Sequence, residues 1–253
     1  MMIFTTITTI FLLGTLATAA PHKRQTTAPG VVTSCIKPGT AALTFDDGPY
    51  TFSANIVQLL NQHGAKGTFF YNGNNYGCIY DQENVDRIHS AMASGHQIAS
   101  HTWSHPHLAQ LSLDQVKMEM AKVREAFIKV AGVDPAFMRP PFGEYNDNVL
   151  QVAQELGETV VNWDFDSGDS IGADPSKQLT DYDGLVTKKP PSILSLEHET
   201  MQSSAETVLP AVIQKLQAAG YQLVTVADCL GMNPYKAVGV PYARDATWTC
   251  GTS

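Results

Sequence analysis

The sequence predicts an α/β fold built on a parallel sheet, either open or closed into a barrel. From residue 41 onward, short apolar runs alternate with amphipathic helical patterns, and no internal repeat interrupts them. Such alternation of strands and helices is typical of parallel sheets. Titratable residues cluster directly after the apolar runs, which is where parallel α/β sheets place their functional sites.

The predicted strands are short and apolar, as expected for strands that are covered on both faces. They cover residues 41–45, 66–73, 96–100, 136–140, 158–163, 192–198 and 221–226. The predicted helices have apolar residues at helical spacing and cover residues 52–64, 83–95, 111–132, 146–157 and 205–220, with a loop and a short helix before residue 192. Ser112 is expected to cap the longest helix.

The first 20 residues have the pattern of a secretory signal peptide. An apolar run over residues 7–16 precedes an A-x-A-like cleavage pattern at 17–19. About ten apolar residues are too few to span roughly 30 Å of hydrocarbon. Lys23 and Arg24 could form a dibasic processing site, which leaves a possible propeptide up to residue 24.

The rest of the chain, about 230 residues, is long enough for one domain of the α/β-barrel size class. We expect an N-terminal segment at 25–40, the domain at 41–230, and a C-terminal tail at 231–253 packed irregularly on its outside. The net charge of −8 argues against nucleic acid and anionic membranes as partners. The polar C-terminus carries no lipid-anchor signal, so we expect a protein that is secreted, extracellular or cell-wall associated. A monomer is the default expectation.

Four cysteines in a secreted chain suggest two disulfides with three possible connectivities. Cys35 precedes the first predicted strand and Cys229 follows the last one. A bridge between them would close the ends of the domain, which favours pairing Cys35 with Cys229 and Cys78 with Cys250. A zinc-cysteine site would need closer and more regular spacings.

Five polar clusters follow predicted strands at the same end of the sheet. They begin at Asp46, His101, Arg139, Trp163 and Leu196. In the second cluster, His101 and His105 are four residues apart, so one helical turn would place both imidazoles on one face. Two imidazoles need one or two further ligands to hold zinc.

Asp46 and Asp47 are adjacent carboxylates at the end of the first strand. An ordinary strand would point them to opposite faces, but Gly48 and Pro49 end the strand and let both face the same rim. One carboxylate could complete a His₂Asp site while the other accepts a proton from water. An Asx-turn is the alternative explanation of this stretch, and it leaves the two histidines unexplained.

Five motifs of this chain resemble, in order, those of the polysaccharide deacetylases of carbohydrate esterase family 4, which share the NodB homology domain. They are TFDDG at 44–48, HTWSH at 101–105, RPPFG at 139–143, DFDSGD at 164–169 and LEH at 196–198. The resemblance covers residues 41–230, and within the family it extends to the fungal chitin deacetylases. It implies a distorted, incomplete (β/α) barrel of about seven strands.

The resemblance also implies the roles of the site residues. Asp46 would be the general base, oriented by Arg139. His198 would be the general acid, oriented by Asp169, with Asp166 as the alternative orienting carboxylate.

The same resemblance implies a metal site and a substrate pocket. Asp47, His101 and His105 would hold one divalent metal ion, zinc or alternatively cobalt. The backbone N–H beside Phe142 would help to stabilise an oxyanion, and Leu196 would line the acetyl pocket.

The chain departs from the family pattern at two positions. Phe142 stands where the family often has Tyr, which leaves the backbone donor in place. Ser170 stands where the family often has Trp, which removes an apolar wall of the acetyl pocket. Trp163 or Tyr145 could fill the gap, and both are candidate substrate contacts.

The implied function is a metal-dependent chitin deacetylase that hydrolyses N-acetyl groups of chitin or chitooligosaccharides, giving chitosan and acetate. An acetylxylan O-esterase with the same metal chemistry is the alternative. A non-catalytic carbohydrate-binding barrel is a further alternative, but it predicts lost site residues, whereas all of them are present here.

Overall fold

The computed structural model describes residues 30–251, and a curled parallel sheet forms its centre. The strands are β1 (Thr40–Gly48), β2 (Gly67–Tyr71), β3 (Gln97–Ser100), β4 (Val133–Pro135), β5 (Phe137–Met138), β6 (Thr159–Val160), β7 (Phe165–Asp166), β8 (Ser192–His198), β9 (Gln222–Leu223) and β10 (Tyr235–Val238).

Seven of these strands form the path of the sheet, in the order β6-β5-β3-β2-β1-β8-β7, and β9 also pairs with β1. Every pairing in this sheet is parallel. The path begins at β6 and ends at β7, so the sheet is a half-barrel. The predicted incomplete (β/α) barrel of about seven strands is therefore confirmed.

Within residues 30–251, seven α-helices accompany the strands. They are α1 (Ser53–Gln62), α2 (Gln82–Ala93), α3 (Leu113–Ala131), α4 (Asp147–Leu156), α5 (Pro175–Lys188), α6 (Leu209–Ala218) and α7 (Val226–Leu230). The predicted cap of α3 is confirmed, because the Ser112 side chain accepts from the Gln115 N–H within a capping box. Among the described residues, none of the helices has the length and apolar character of a membrane span.

Successive side chains of β1 point to opposite faces of the sheet and pack into two different hydrophobic clusters. Leu43 and Phe45 pack in the large cluster that includes apolar residues of α1, α2, α3 and α6. Ala42 points the other way and packs with Leu194 and with residues of α7. The inner face of β1 therefore passes from an apolar base at Ala42 to Asp46 at the rim.

Both disulfides pair the cysteines as favoured from the sequence. Cys35 bonds to Cys229 of α7 over a sequence separation of 194 residues. Cys78 bonds to Cys250 over 172 residues. The first bridge joins the two ends of the sheet region, because Cys35 precedes β1 and α7 follows β9.

Three element predictions are wrong in detail. The region before residue 192 contains strand β7 and the full-length helix α5, where only a loop and a short helix were expected. The strand expected at 221–226 is only two residues long, and Val226 already begins α7. The region from Gly231 is not wholly irregular, because β10 pairs with β4 in an antiparallel ribbon.

These differences have a physical origin in tertiary contacts. β7 is only two residues long and exists because it pairs with β8, and a pairing of that length leaves no periodicity in the sequence. The side chains of β10 are mostly exposed, so its strand is specified by pairing with β4 rather than by an apolar pattern. The predicted signal peptide and propeptide fall within residues 1–29, outside the described part of the chain.

Replacing Cys35 and Cys229 together by Ser is expected to lower the thermal unfolding midpoint strongly. A crosslink across 194 residues removes chain entropy worth about 5 kcal/mol from the unfolded state in the loop-closure model. Circular dichroism melting of the full chain under non-reducing conditions measures the effect. The double variant of Cys78 and Cys250 is the matched comparison, and an unchanged melting midpoint in the Cys35 variant would contradict the expectation.

Candidate metal centre and catalytic site

The two adjacent aspartates reach the same rim through a local irregularity in β1. Asp47 has a φ of 72°, in the left-handed region that Asp tolerates better than most residues. The register of β1 against β2 shifts between Asp46 and Gly48. This bulge, rather than the end of the strand, turns both carboxylates to one side, since β1 itself continues to Gly48.

Asp47, His101 and His105 form a compact group of candidate metal ligands. One possible ligand atom from each residue lies within 4.8 Å of the other two. Asp47 Oδ1 is 3.2 Å from His105 Nε2 and 3.6 Å from His101 Nε2. Two imidazole nitrogens and one carboxylate oxygen are a donor set that suits zinc and similar divalent metals.

The helical turn expected between His101 and His105 is wrong. Residues 101–107 form a loop, in which Thr102 has a φ of 72° and His105 a φ of 59°. The His105 N–H donates to Thr102 Oγ1 at 3.2 Å and closes this turn. The two imidazoles still converge, with ring centroids 5.0 Å apart, because the loop folds back on itself.

His101 is held in the form that binds a metal. Its Nδ1 lies 2.8 Å from the backbone oxygen of Arg139, which fixes the proton on Nδ1 and leaves the Nε2 lone pair facing Asp47. Burial lowers the pKa of His101 to about 3, against the opposing charge of Asp47. The imidazole is therefore neutral near pH 7.

The charge balance of the rim also fits a bound cation. Arg139 Nη1 donates to Asp46 Oδ1 at 2.8 Å and compensates one of the two carboxylates. Within residues 30–251, Asp47 has no Lys or Arg within ion-pair distance; its contacts of this kind are with the two histidines, and His101 is neutral. A divalent metal at this donor set would supply the missing positive charge.

Arg139 is fully buried and connects three strands. Its guanidinium donates to Thr44 Oγ1 at 2.6 Å and to Asp46, both on β1. It also donates to the backbone oxygens of Val161 at 3.2 Å and Asn162 at 2.9 Å, just after β6. Arg139 itself directly follows β5, so the guanidinium fixes Asp46 relative to the opposite side of the half-barrel.

His198 lies beside Asp46 because the two residues are partners in the pairing of β1 and β8. The His198 Nδ1 is 2.7 Å from Asp169 Oδ1, and the His198 backbone N–H donates to Asp169 Oδ2 at 2.8 Å. Ser204 Oγ also donates to Asp169. Asp166 is exposed and accepts from the Gly168 N–H, so Asp169, and not Asp166, is the carboxylate that contacts His198.

The surroundings of His198 and Asp46 shift the pKa values of both side chains. Burial alone would lower the pKa of His198, but the hydrogen bond and charge of Asp169 outweigh it and raise that pKa to about 9. Burial raises the pKa of Asp46 above its ordinary value, against the charges of Arg139 and His198. The rim therefore holds an imidazolium next to a carboxylate of increased basicity.

The four candidate substrate contacts occupy different positions. Leu196 is buried on the inner face of β8, two residues before His198. Phe142 is half exposed, with its ring 4.7 Å from that of His105 and stacked at 4.0 Å on His107. The remaining two, Trp163 and Tyr145, lie on either side of the 139–143 motif: Trp163 packs against Gly143, and Tyr145 is exposed just beyond it.

Three residues at the site received no role from the sequence. Thr44 accepts from Arg139, and its position two residues before Asp46 on β1 could have indicated that it faces inward. Asn72 follows β2 at the same rim and donates to the backbone of His101. Ser204 contacts Asp169 through tertiary packing alone, and no sequence signal indicates it.

Comparisons with known proteins agree with this geometry. A sequence profile of the family described as Polysaccharide deacetylase matches residues 33–161. A chitin deacetylase of a Pestalotiopsis species is 36% identical over 96% of this chain and 83% of its own length. The peptidoglycan-N-acetylglucosamine deacetylase of Bacillus cereus is 35% identical over 73% of this chain and 66% of its own length.

Similarity to a solved structure covers most of the fold. The chitin deacetylase of Colletotrichum lindemuthianum is 30% identical over 93% of this chain and 98% of its own length. Its structure aligns with a TM-score of 0.77 and covers 82% of this chain and 96% of that one. The chain therefore belongs to the polysaccharide deacetylase family, carbohydrate esterase family 4, and is a deacetylase enzyme.

Proposed function

We propose that this enzyme is a secreted, metal-dependent chitin deacetylase that hydrolyses the N-acetyl groups of chitin or chitooligosaccharides, giving chitosan and acetate. The observation that carries the proposal is the convergence, on one rim, of a metal donor set with Asp46 and His198, each of which has a partner of opposite charge. The similar fungal proteins named chitin deacetylases support the choice of substrate.

Asp47, His101 and His105 would hold the metal, most readily zinc, with cobalt as an alternative. When bound, a divalent metal supplies Lewis acidity, which polarises a carbonyl and lowers the pKa of water. The neutral imidazole of His101, held by its hydrogen bond to the Arg139 backbone, is preorganised for this role.

Asp46 is the proposed general base. Its Oδ1 is held by Arg139, while its Oδ2 lies 3.6 Å from His101 Nε2 and faces the donor set. This orientation presents Oδ2 to the position from which water would attack the acetyl carbonyl. A positioned base of raised pKa accepts that proton more readily than an exposed aspartate would.

His198 is the proposed general acid. An amide nitrogen leaves poorly as an anion, so it must be protonated as its bond to the acetyl carbon breaks. The Asp169 carboxylate keeps the His198 imidazole charged near neutral pH and fixes its ring through Nδ1. The Nε2 proton is then available for the glucosamine nitrogen.

The remaining residues shape the acetyl pocket. The backbone N–H beside Phe142 is the proposed oxyanion donor, in a loop whose left-handed turn at φ 59° is braced by the ring packing on His105. Leu196 would contact the acetyl methyl, with Trp163 and Tyr145 as further contacts. Ser170 is exposed beside Asp169 and leaves this side of the rim open.

We further propose the domain limits expected from the sequence, with a signal peptide at 1–20 and the catalytic domain at 41–230. The enzyme is expected to act as a monomer. Secretion would be consistent with two disulfides, which persist in oxidising compartments.

Zinc is expected to restore acetate release from chitin oligomers by the metal-stripped enzyme. The Asp46→Asn and His198→Gln variants should lose about 10²–10⁴-fold in kcat, because each removes one proton-transfer step. Enzymatic assay of acetate measures the reaction. His63→Gln, at the end of α1, is the matched control and should retain full activity.

The same assay on acetylated xylan and on peptidoglycan separates the substrates. Release mainly from xylan or peptidoglycan would keep the site and overturn the proposed substrate. If the zinc-loaded enzyme released no acetate from chitin oligomers, acetylated xylan or peptidoglycan, the proposed function would be overturned.

The pH profile of kcat/KM is expected to depend on Asp169. The pKa of His198 is raised to about 9, so its acid form is present at lower pH and is lost as the pH rises through that value. Asp169→Asn removes the contacts that raise this pKa, and the alkaline limb should move to lower pH. NMR titration of the His198 ring measures the same shift directly.

Asp166→Asn is the control for this measurement, since it removes an equal charge from an exposed residue whose contact is the Gly168 N–H. Its alkaline limb should match that of the unmodified enzyme. Equal shifts in both variants would contradict a specific role of Asp169.

A further inference from the structure

Asn72 is a buried amide at the rim that the proposed chemistry does not use. It is 1% exposed and directly follows β2. Its Nδ2 donates to the backbone oxygen of His101 and, at 3.3 Å, to that of Thr102. The side-chain amide is therefore hydrogen-bonded to the loop that carries both candidate histidine ligands.

The backbone N–H and the Oδ1 of Asn72 connect it to the segment that carries the aspartate ligand. Its backbone N–H donates to the Gly48 oxygen at 2.8 Å, one residue after Asp47. Its Oδ1 accepts from Asn75 Nδ2 at 3.2 Å, and the same Asn75 nitrogen lies 3.4 Å from Asp47 Oδ1. A chain of amide contacts thus joins the two segments that bear the donor set.

The orientation of the Asn72 amide is fixed by these partners. A reversed side chain would place Oδ1 against the carbonyl oxygens of His101 and Thr102, and neither can donate a hydrogen bond. It would also place the NH₂ group against the NH₂ of Asn75. All of these hydrogen bonds can form in one arrangement only, so Nδ2 faces the histidine loop and Oδ1 faces Asn75.

The surrounding backbone adds further contacts to this junction. The N–H groups of Gly73 and Asn74 donate to the oxygens of Thr102 and Trp103 at 3.2 Å and 2.6 Å. A Cβ added to Gly73 would lie 2.0 Å from the Trp103 ring, so the two loops are packed backbone against side chain. Thr102 has a left-handed φ, a conformation that costs free energy and persists where such contacts hold it.

We propose that Asn72 is a positioning residue for the metal centre, one that sets the separation of Asp47 from His101 and His105. Asn75 extends this control to the Asp47 carboxylate. The inference rests on the proposed metal-dependent function. Residues that orient metal ligands through hydrogen bonds commonly contribute 10–100-fold to metal affinity, and the same scale is expected here.

The test is the zinc affinity of metal-stripped, full-length Asn72→Ala, measured by competition with a chromogenic chelator. The zinc dissociation constant is expected to rise about 10–100-fold. Asn84→Ala is the matched control. Asn84 is 4% exposed and likewise donates its Nδ2 to a backbone oxygen, that of Cys78, without contacting the donor set.

Thermal melting of the metal-stripped proteins separates positioning from stability. Both variants should lose stability, while only Asn72→Ala should lose zinc affinity. Unchanged zinc binding in Asn72→Ala would overturn the inference. An equal loss in Asn84→Ala would also overturn it, because the effect would then belong to the loop in general.

Asn75→Ala decides the question if Asn72→Ala fails to fold. Asn75 is exposed, so the variant should fold, and its long contact with Asp47 predicts a rise in the dissociation constant below about tenfold. Zinc binding identical to the unmodified enzyme would overturn the inference. Absence of zinc binding in the unmodified enzyme would instead overturn the proposed function, and the inference with it.

Discussion

The buried ion pair between Arg139 and Asp46 is the constraint around which the rim is organised. Two neighbouring carboxylates in a nearly dry site repel each other, and the guanidinium compensates one of them so that the other remains available for a cation. Arg139 also donates to β1 and to the backbone after β6, so the same group connects these two parts of the half-barrel at its polar end. Removing one partner of such a pair typically costs about 3–5 kcal/mol, because the remaining charge stays buried.

The parallel pairing of β1 with β8 places the proposed general base and general acid next to each other. Its register places Ala42 opposite Leu194, Thr44 opposite Leu196 and Asp46 opposite His198. The inner face therefore changes, level by level, from apolar residues at its bottom to the proposed general base and general acid at the rim. A slip of one residue in either strand would turn Asp46 or His198 toward the helices, so the proposed proton transfer depends on this register.

The sequence predicted the parts of the site that depend on residue type and on strand ends. Asp46, His101 and His198 were singled out because they lie at or near the ends of apolar runs. Asp47 was singled out as the neighbour of Asp46, and His105 by its spacing from His101. The conformation of residues 101–105 was predicted wrongly, because a spacing of four residues fits both a helical turn and the observed loop with Thr102 in the left-handed region. The amide of Asn72 acts through contacts with residues distant in sequence, and a single sequence contains no record of those contacts.

The bridge between Cys78 and Cys250 has a consequence for how the protein matures. Its two cysteines are separated by 172 residues, which at ordinary rates of synthesis corresponds to roughly 10–35 s. In the folded protein, the loop beside Asp47 also has noncovalent contacts with the neighbouring loop, through Asn72, Gly73 and Asn74. The hydrogen bonds between the two loops do not depend on this bridge, whereas the bridge itself cannot form until Cys250 has been synthesised.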